Sequence, residues 1–193
     1  MTYLPSTHIG RFWLVALLAL GVVGCEDQTM AVEPNNGMNQ AESITEQSPD
    51  SLMARAETLQ PAELYMLAAK LMGAGRTDEA VKWFYIGQLR YRFHLAATQP
   101  PPGSNDRVLF SALSESVGRP INEYAFGDVD AAVAQIDGAL AWDEANDNGF
   151  TSKTRYSSEL AETRNGLQAM RDDMIAKKDE IRTIREKNGL PNR

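Results

Sequence analysis

The sequence predicts an all-α protein: a helical bundle or helical-repeat-like domain over residues 51–193, ending in a long C-terminal helix and preceded by an acidic tether. Three observations predict it. From Ser51 onward apolar residues recur at three- and four-residue spacings. Glycines and prolines fall where such stretches stop, as helix ends require. No segment sustains the strict alternation of a half-buried strand. The chain has 193 residues, 43% of them hydrophobic, which is enough for one ordinary core.

The first element is an address. Phe12–Val23 is an unbroken apolar run directly after Arg11, twelve residues long, whereas a helix that crosses the hydrocarbon core needs about 20. A short apolar run behind a basic residue marks a secretory signal, here residues 1–24. Its end, Val22-Val23-Gly24-Cys25, resembles the bacterial lipobox, an aliphatic residue and two small ones before a cysteine. The resemblance implies that Cys25, the chain's sole cysteine, becomes residue one and carries acyl chains that anchor far better together than singly. It also implies a periplasm-facing protein. Glu26 follows the cysteine where lipoproteins retained at the inner membrane tend to carry aspartate, so outer-membrane sorting is favoured. Processing leaves 18 bases, 26 acids and one histidine, His94.

Residues 26–50 hold six acids, no base and no aromatic. Such a stretch buries too little apolar surface to offset its ordering entropy and is expected to be a disordered leash. As a coil its 25 residues span roughly 25–30 Å. From Ser51 on, 18 bases face 20 acids, so most of the net charge of −7 sits in the leash.

Helices follow in order. Pro61 suits a first helical position and the pattern runs to Met72, with stops at Gly73 and Gly75. Thr77 is placed to cap the next helix, with Asp78 and Glu79 in its first turn. That helix reaches about Gln99, where Pro100, Pro101, Pro102 and Gly103 end it. Trp83-Phe84-Tyr85-Ile86 is apolar on more than one face, which predicts a central helix. A short helix near 107–117 precedes a break at Gly118-Arg119-Pro120; another covers roughly 128–144, before a turn at Asn146-Asp147-Asn148-Gly149. The last runs from about 155 to 188, with Gly189 and Pro191 as its stop. Within it Leu160, Leu167, Met174 and Ile181 recur every seven residues, with Met170 and Ile184 alongside and Lys177 interrupting. That stripe reads as core, or alternatively as a coiled-coil seam to a second copy.

Residues 61–92 resemble one tetratricopeptide or Sel1-type repeat. Leu64, Leu67, Ala68 and Leu71 share a face at that repeat's spacing, Gly75 matches its turn, and Ala80 and Phe84 match its second helix. Gly87 stands where alanine is usual, and no proline closes the unit. The other reading is an ordinary αα-hairpin with the same packing needs. The resemblance implies a scaffold for protein contacts.

Composition excludes much chemistry. A pI near 4.9 does not suit phosphate-binding surfaces, so no nucleic-acid partner is expected. One cysteine and one mature histidine build neither a zinc cluster nor a cysteine protease dyad. No G-x-S-x-G elbow and no phosphate-cradling glycine loop occurs. Glu115-Ser116 and Gly166-Leu167-Gln168-Ala169-Met170 faintly resemble lytic transglycosylase motifs, but the first lacks the following aromatic and the two stand too far apart. The expectation is a non-enzymatic protein with no metal and no cofactor.

What remains is a surface. Arg119–Asp128 is too aromatic for a solvated linker and too short for a helix of its own. One reading makes it a cap, with Ile121 and Phe126 on the core and Asp128 as the next N-cap. The other leaves Arg119, Glu123 and Tyr124 exposed to grip a partner. An anchor, a leash, a compact body and an interface together are similar to the small helical immunity lipoproteins that neutralise secreted antibacterial effectors in the periplasm. The alternative is a scaffold of envelope assembly, similar to helical-repeat lipoproteins that act as secretin pilotins.

Overall fold

A computed structural model describes residues 44–193; the expected signal segment (residues 1–24), Cys25 and residues 26–43 of the expected tether lie outside the described residues. Eight α-helices lie wholly within that range, and no strand occurs among the described residues. No described helix is long and apolar enough to cross a membrane.

The ordered body begins earlier than residue 51. Ile44 is buried in the core, Lys70 Nζ donates to the Thr45 carbonyl at 2.6 Å, and α1 spans Pro49–Ala54. Ser48 caps α1, its hydroxyl accepting from the Ser51 N–H. The end of the predicted leash, residues 44–50, is therefore part of the domain: Ile44 and Leu52 bury enough apolar surface to hold it.

A 3-10 turn at Ala56–Thr58 leads to α2, Pro61–Gly73, and α3, Thr77–Thr98. At the start of α2 the Gln60 N–H donates to the Glu63 carboxylate at 2.6 Å. At its end Gly75 adopts φ +76°, Gly75 N–H donates to Met72 and Arg76 N–H to Leu71. This Schellman closure satisfies two terminal carbonyls and needs the left-handed backbone that glycine tolerates. It also moves the cap of α3 to Arg76, not Thr77, which is already helical. Arg76 binds Asp50 and Glu79, both at 2.6 Å, and so ties α1 to the start of α3.

Leu64, Leu67, Ala68 and Leu71 of α2, and Ala80 and Phe84 of α3, are all buried. Gly87 explains how closely the pair packs: a Cβ there would lie 3.1 Å from both Leu64 Cβ and Tyr65 Cδ2. Tyr65 meets the Phe84 ring edge-on at 5.4 Å, and burial pushes its phenol up to about 12. Residues 83–87 are all buried, as expected for a central helix; α3 touches α2 and most of the later helices. It ends at Gln99, forced out of the right-handed helical region by Pro100 and sitting at φ +46°.

α4, Asn105–Leu113, passes through a π turn at Ser114–Gly118 directly into α5, Arg119–Ala125. Neither the predicted break at Gly118-Arg119-Pro120 nor the expectation that 119–128 is too short for a helix holds. The π turn loosens the backbone where the Pro120 ring would strike the carbonyl four residues back. Gly118 is there for contact: a Cβ would come within 2.9 Å of the Phe84 ring. Ile121 is buried, Phe126 packs on the core, and Asp128 caps α6, Val129–Ala145, accepting from the Ala131 N–H at 3.0 Å.

The single long C-terminal helix is two, α7 at Ser157–Ala176 and α8 at Lys178–Lys187, separated at Lys177. Three of the four stripe residues serve this chain's own core: Leu167 and Met174 are buried and Ile181 packs against the cluster, as does Met170 beside them. Ile184 is left half exposed. Arg185, buried, turns the tail back by donating to the carbonyls of Glu123 and Pro191.

Candidate binding groove

Two helices flank a surface groove, and a buried ionic cluster nearby holds them side by side. Asp143, in the last turn of α6, faces the negative end of that helix, an unfavourable place for an acid. It is 1% exposed and surrounded by cations: Arg90 Nε at 3.3 Å, Arg164 Nη1 at 3.1 Å and Lys153 Nζ at 3.4 Å. Arg90, also 1% exposed, further donates to the carbonyls of Ala56, Glu57 and Asp147, and lies 4.7 Å from the Trp142 ring centroid. Burial pulls the Arg90 guanidinium down from its ordinary value, and the Asp143 charge opposes that pull. Lys153 also donates to the Asp143 carbonyl, and to that of Asn146 at 2.7 Å. Arg164 belongs to α7, so this cluster fixes α7 beside α3.

Between those two helices lies a groove of about 450 Å³. Gln88, Leu89, Arg92 and Ala96 of α3 form one side. Glu162, Thr163, Gly166, Leu167 and Met170 of α7 form the other. Leu89 and Leu167 are buried at its base. Gly166 is open: a Cβ there would meet nothing within 4 Å. The rim is polar and unspent. Among the described residues Gln88 and Glu162 make no side-chain hydrogen bond or ion pair, and Arg92 has no carboxylate partner. Arg92 lies instead over the Phe110 ring at 5.6 Å.

The residues singled out from sequence fall elsewhere. Arg119 is exposed and pairs with Glu115 at 2.8 Å on the same helical path. The Glu123 side chain is exposed, while its carbonyl accepts from Arg185 at 2.8 Å. Tyr124 is engaged on two sides: its hydroxyl donates to Asp78 at 3.0 Å, and the Arg193 guanidinium covers its ring at 3.6 Å. These three share α5, but the chain's own tail already occupies the aromatic face. Cys25 lies outside the described residues.

His94 is half-buried, with Nδ1 3.0 Å from the Thr151 hydroxyl, Nε2 3.8 Å from Asp106, and its ring 4.8 Å from that of Phe150. Burial lowers its pKa, against a smaller opposing pull from Asp106. No group of three or more metal-ligating side chains forms among the described residues.

Sequence reasoning missed the groove. Its signals were two: a glycine inside a long helical stretch with no turn near it, and an arginine on an otherwise buried helix. Gly166 and Met170, set aside as a faint motif inside a core stripe, line it together.

No family profile matches the chain, and no solved structure matches it. An uncharacterized protein of Haemophilus influenzae is 27% identical over 123 residues, 63% of this chain and 47% of that protein. The chain thus spans about half the length of the relative it is similar to.

Proposed function

We propose that this chain is a non-enzymatic protein-binding module, held on the periplasmic side of a bacterial membrane by lipid on Cys25, and that its partner is a secreted antibacterial effector it neutralises. The observation that carries the binding reading is the groove between α3 and α7, with an apolar floor and a rim of unpaired polar side chains. An interface wants both: apolar area to desolvate, and polar groups that a partner satisfies. The ionic cluster at Asp143 holds the two walls rigid, which lowers the cost of ordering them on binding. His94, the one imidazole of the mature chain, is taken up by Thr151, Phe150 and Asp106.

Two experiments test the reading. A Cys25→Ser variant should leave the membrane pellet; continued sedimentation counts against the anchor. Deletion of the gene should make cells sensitive to kin that secrete the effector, and full self-resistance of the deletion strain overturns the immunity role. The tightly packed α2–α3 hairpin favours a second reading, a scaffold lipoprotein of envelope assembly. A defect in pilus or outer-membrane protein assembly in the same strain would select it.

A further inference from the structure

We infer that the α3–α7 groove receives one amphipathic α-helix of a partner protein, about two turns long, with a carboxylate beside its apolar stripe on the α3 side. The inference rests on the binding-module reading and names the kind of segment bound.

The walls select a helix. Gln88, Arg92 and Ala96 stand four residues apart on α3, and Glu162, Gly166 and Met170 stand four apart on α7. Each set lies along an i±4 row, and a third helix laid in the trough between them can pack its own ridges against both rows. Each row covers eight residue steps, or about 12 Å, which is two helical turns. An extended peptide would bring unpaired backbone N–H and C=O groups over the apolar floor of Leu89 and Leu167, leaving only the rim side chains to meet them. A helix satisfies those groups internally and presents only side chains.

Gly166 supplies the room. A glycine inside a helix costs about 1 kcal/mol against alanine, and Gly87 and Gly118 return that cost through close contacts. Gly166 returns nothing among the described residues, since its missing Cβ faces open space in the groove. A partner helix can approach the α7 backbone closely there, with Met170 adapting to its side chains.

Charge sets the orientation. Arg92 on one rim and Glu162 on the other lack ionic partners among the described residues, so the arriving helix carries an acid toward α3 and a base toward α7. The reverse placement sets like charges against each other on both sides.

The test is a display selection on the full chain, using a library of amphipathic helical peptides with randomised apolar and flanking positions. A Gly166→Trp variant, whose indole would fill the groove, serves as the counter-selection. Peptides retained by the parent and lost on Gly166→Trp should be helix-forming and acidic on one flank. Arg92→Glu should weaken them about tenfold, while the melting temperature of both variants stays near that of the parent. An empty selection overturns the inference. So does enrichment of proline-containing extended peptides, or affinity indifferent to Gly166→Trp. If the selection fails while the chain still protects cells from an effector, the groove assignment falls and the binding module stands. If it succeeds while the deletion strain is fully resistant, immunity falls and the groove stands.

Discussion

Asp143→Asn is the sharpest probe of how this fold is held. The substitution keeps size and one acceptor oxygen, but removes a charge that is 1% exposed and serves Arg90 at 3.3 Å, Arg164 at 3.1 Å and Lys153 at 3.4 Å. The new amide also points an N–H₂ at one of these cations. Arg90, equally buried, is left without its counter-charge. Breaking a buried pair from one side costs about 3–5 kcal/mol, because the remaining charge stays desolvated. For a domain of this size that is a fall in Tm of roughly 6–20 °C. Arg90→Met should cost less, since Asp143 keeps two cations and methionine fills the apolar space. The double variant should lose less than the sum of the two. Urea and thermal unfolding of the full chain, followed by circular dichroism, measure all three. A loss below about 1 kcal/mol for Asp143→Asn would refute the reasoning and show the cluster to be screened as a surface pair is.

Two glycines should respond in opposite directions. Gly87→Ala places a Cβ 3.1 Å from Leu64 and Tyr65, so strain of about 1–3 kcal/mol outweighs the gain in helix propensity. Gly166→Ala meets nothing within 4 Å and should stabilise by about 0.5–1 kcal/mol; unfolding midpoints that fail to separate the pair defeat the packing argument. His94 should make stability depend on pH. Its pKa is lower folded than unfolded, chiefly through burial, so the unfolded chain binds the proton more readily. Stability from this group is therefore complete above the ordinary histidine value and is lost as pH falls from there through the folded value. His94→Gln should flatten that part of a Tm-against-pH curve, and an unchanged slope would place the titration elsewhere.

The α2–α3 hairpin was legible in the sequence because its determinants are local. Pro61, the Gly75 turn and the spacing of Leu64, Leu67 and Leu71 act within one or two helical turns, so linear order carries them. The same holds for the Asp128 cap and for the central burial of residues 83–86. The continuity of α4 into α5 was not legible, because Gly118 and Pro120 are stop signals by propensity. Only the Phe84 ring, more than thirty residues away, explains the glycine there. The division at Lys177 and the ordering of residues 44–50 were likewise settled by packing at a distance. The groove is the extreme case. Its ridges are ordinary helix faces in the sequence, and nothing local says that residues 88–96 and 162–170 flank one space. That juxtaposition depends on Asp143 gathering Arg90, Lys153 and Arg164, charges that look solvated in linear order and meet only when the chain closes. Local physics set the helices; the buried charge and the close contacts at Gly87 and Gly118 decided which of their faces remain open.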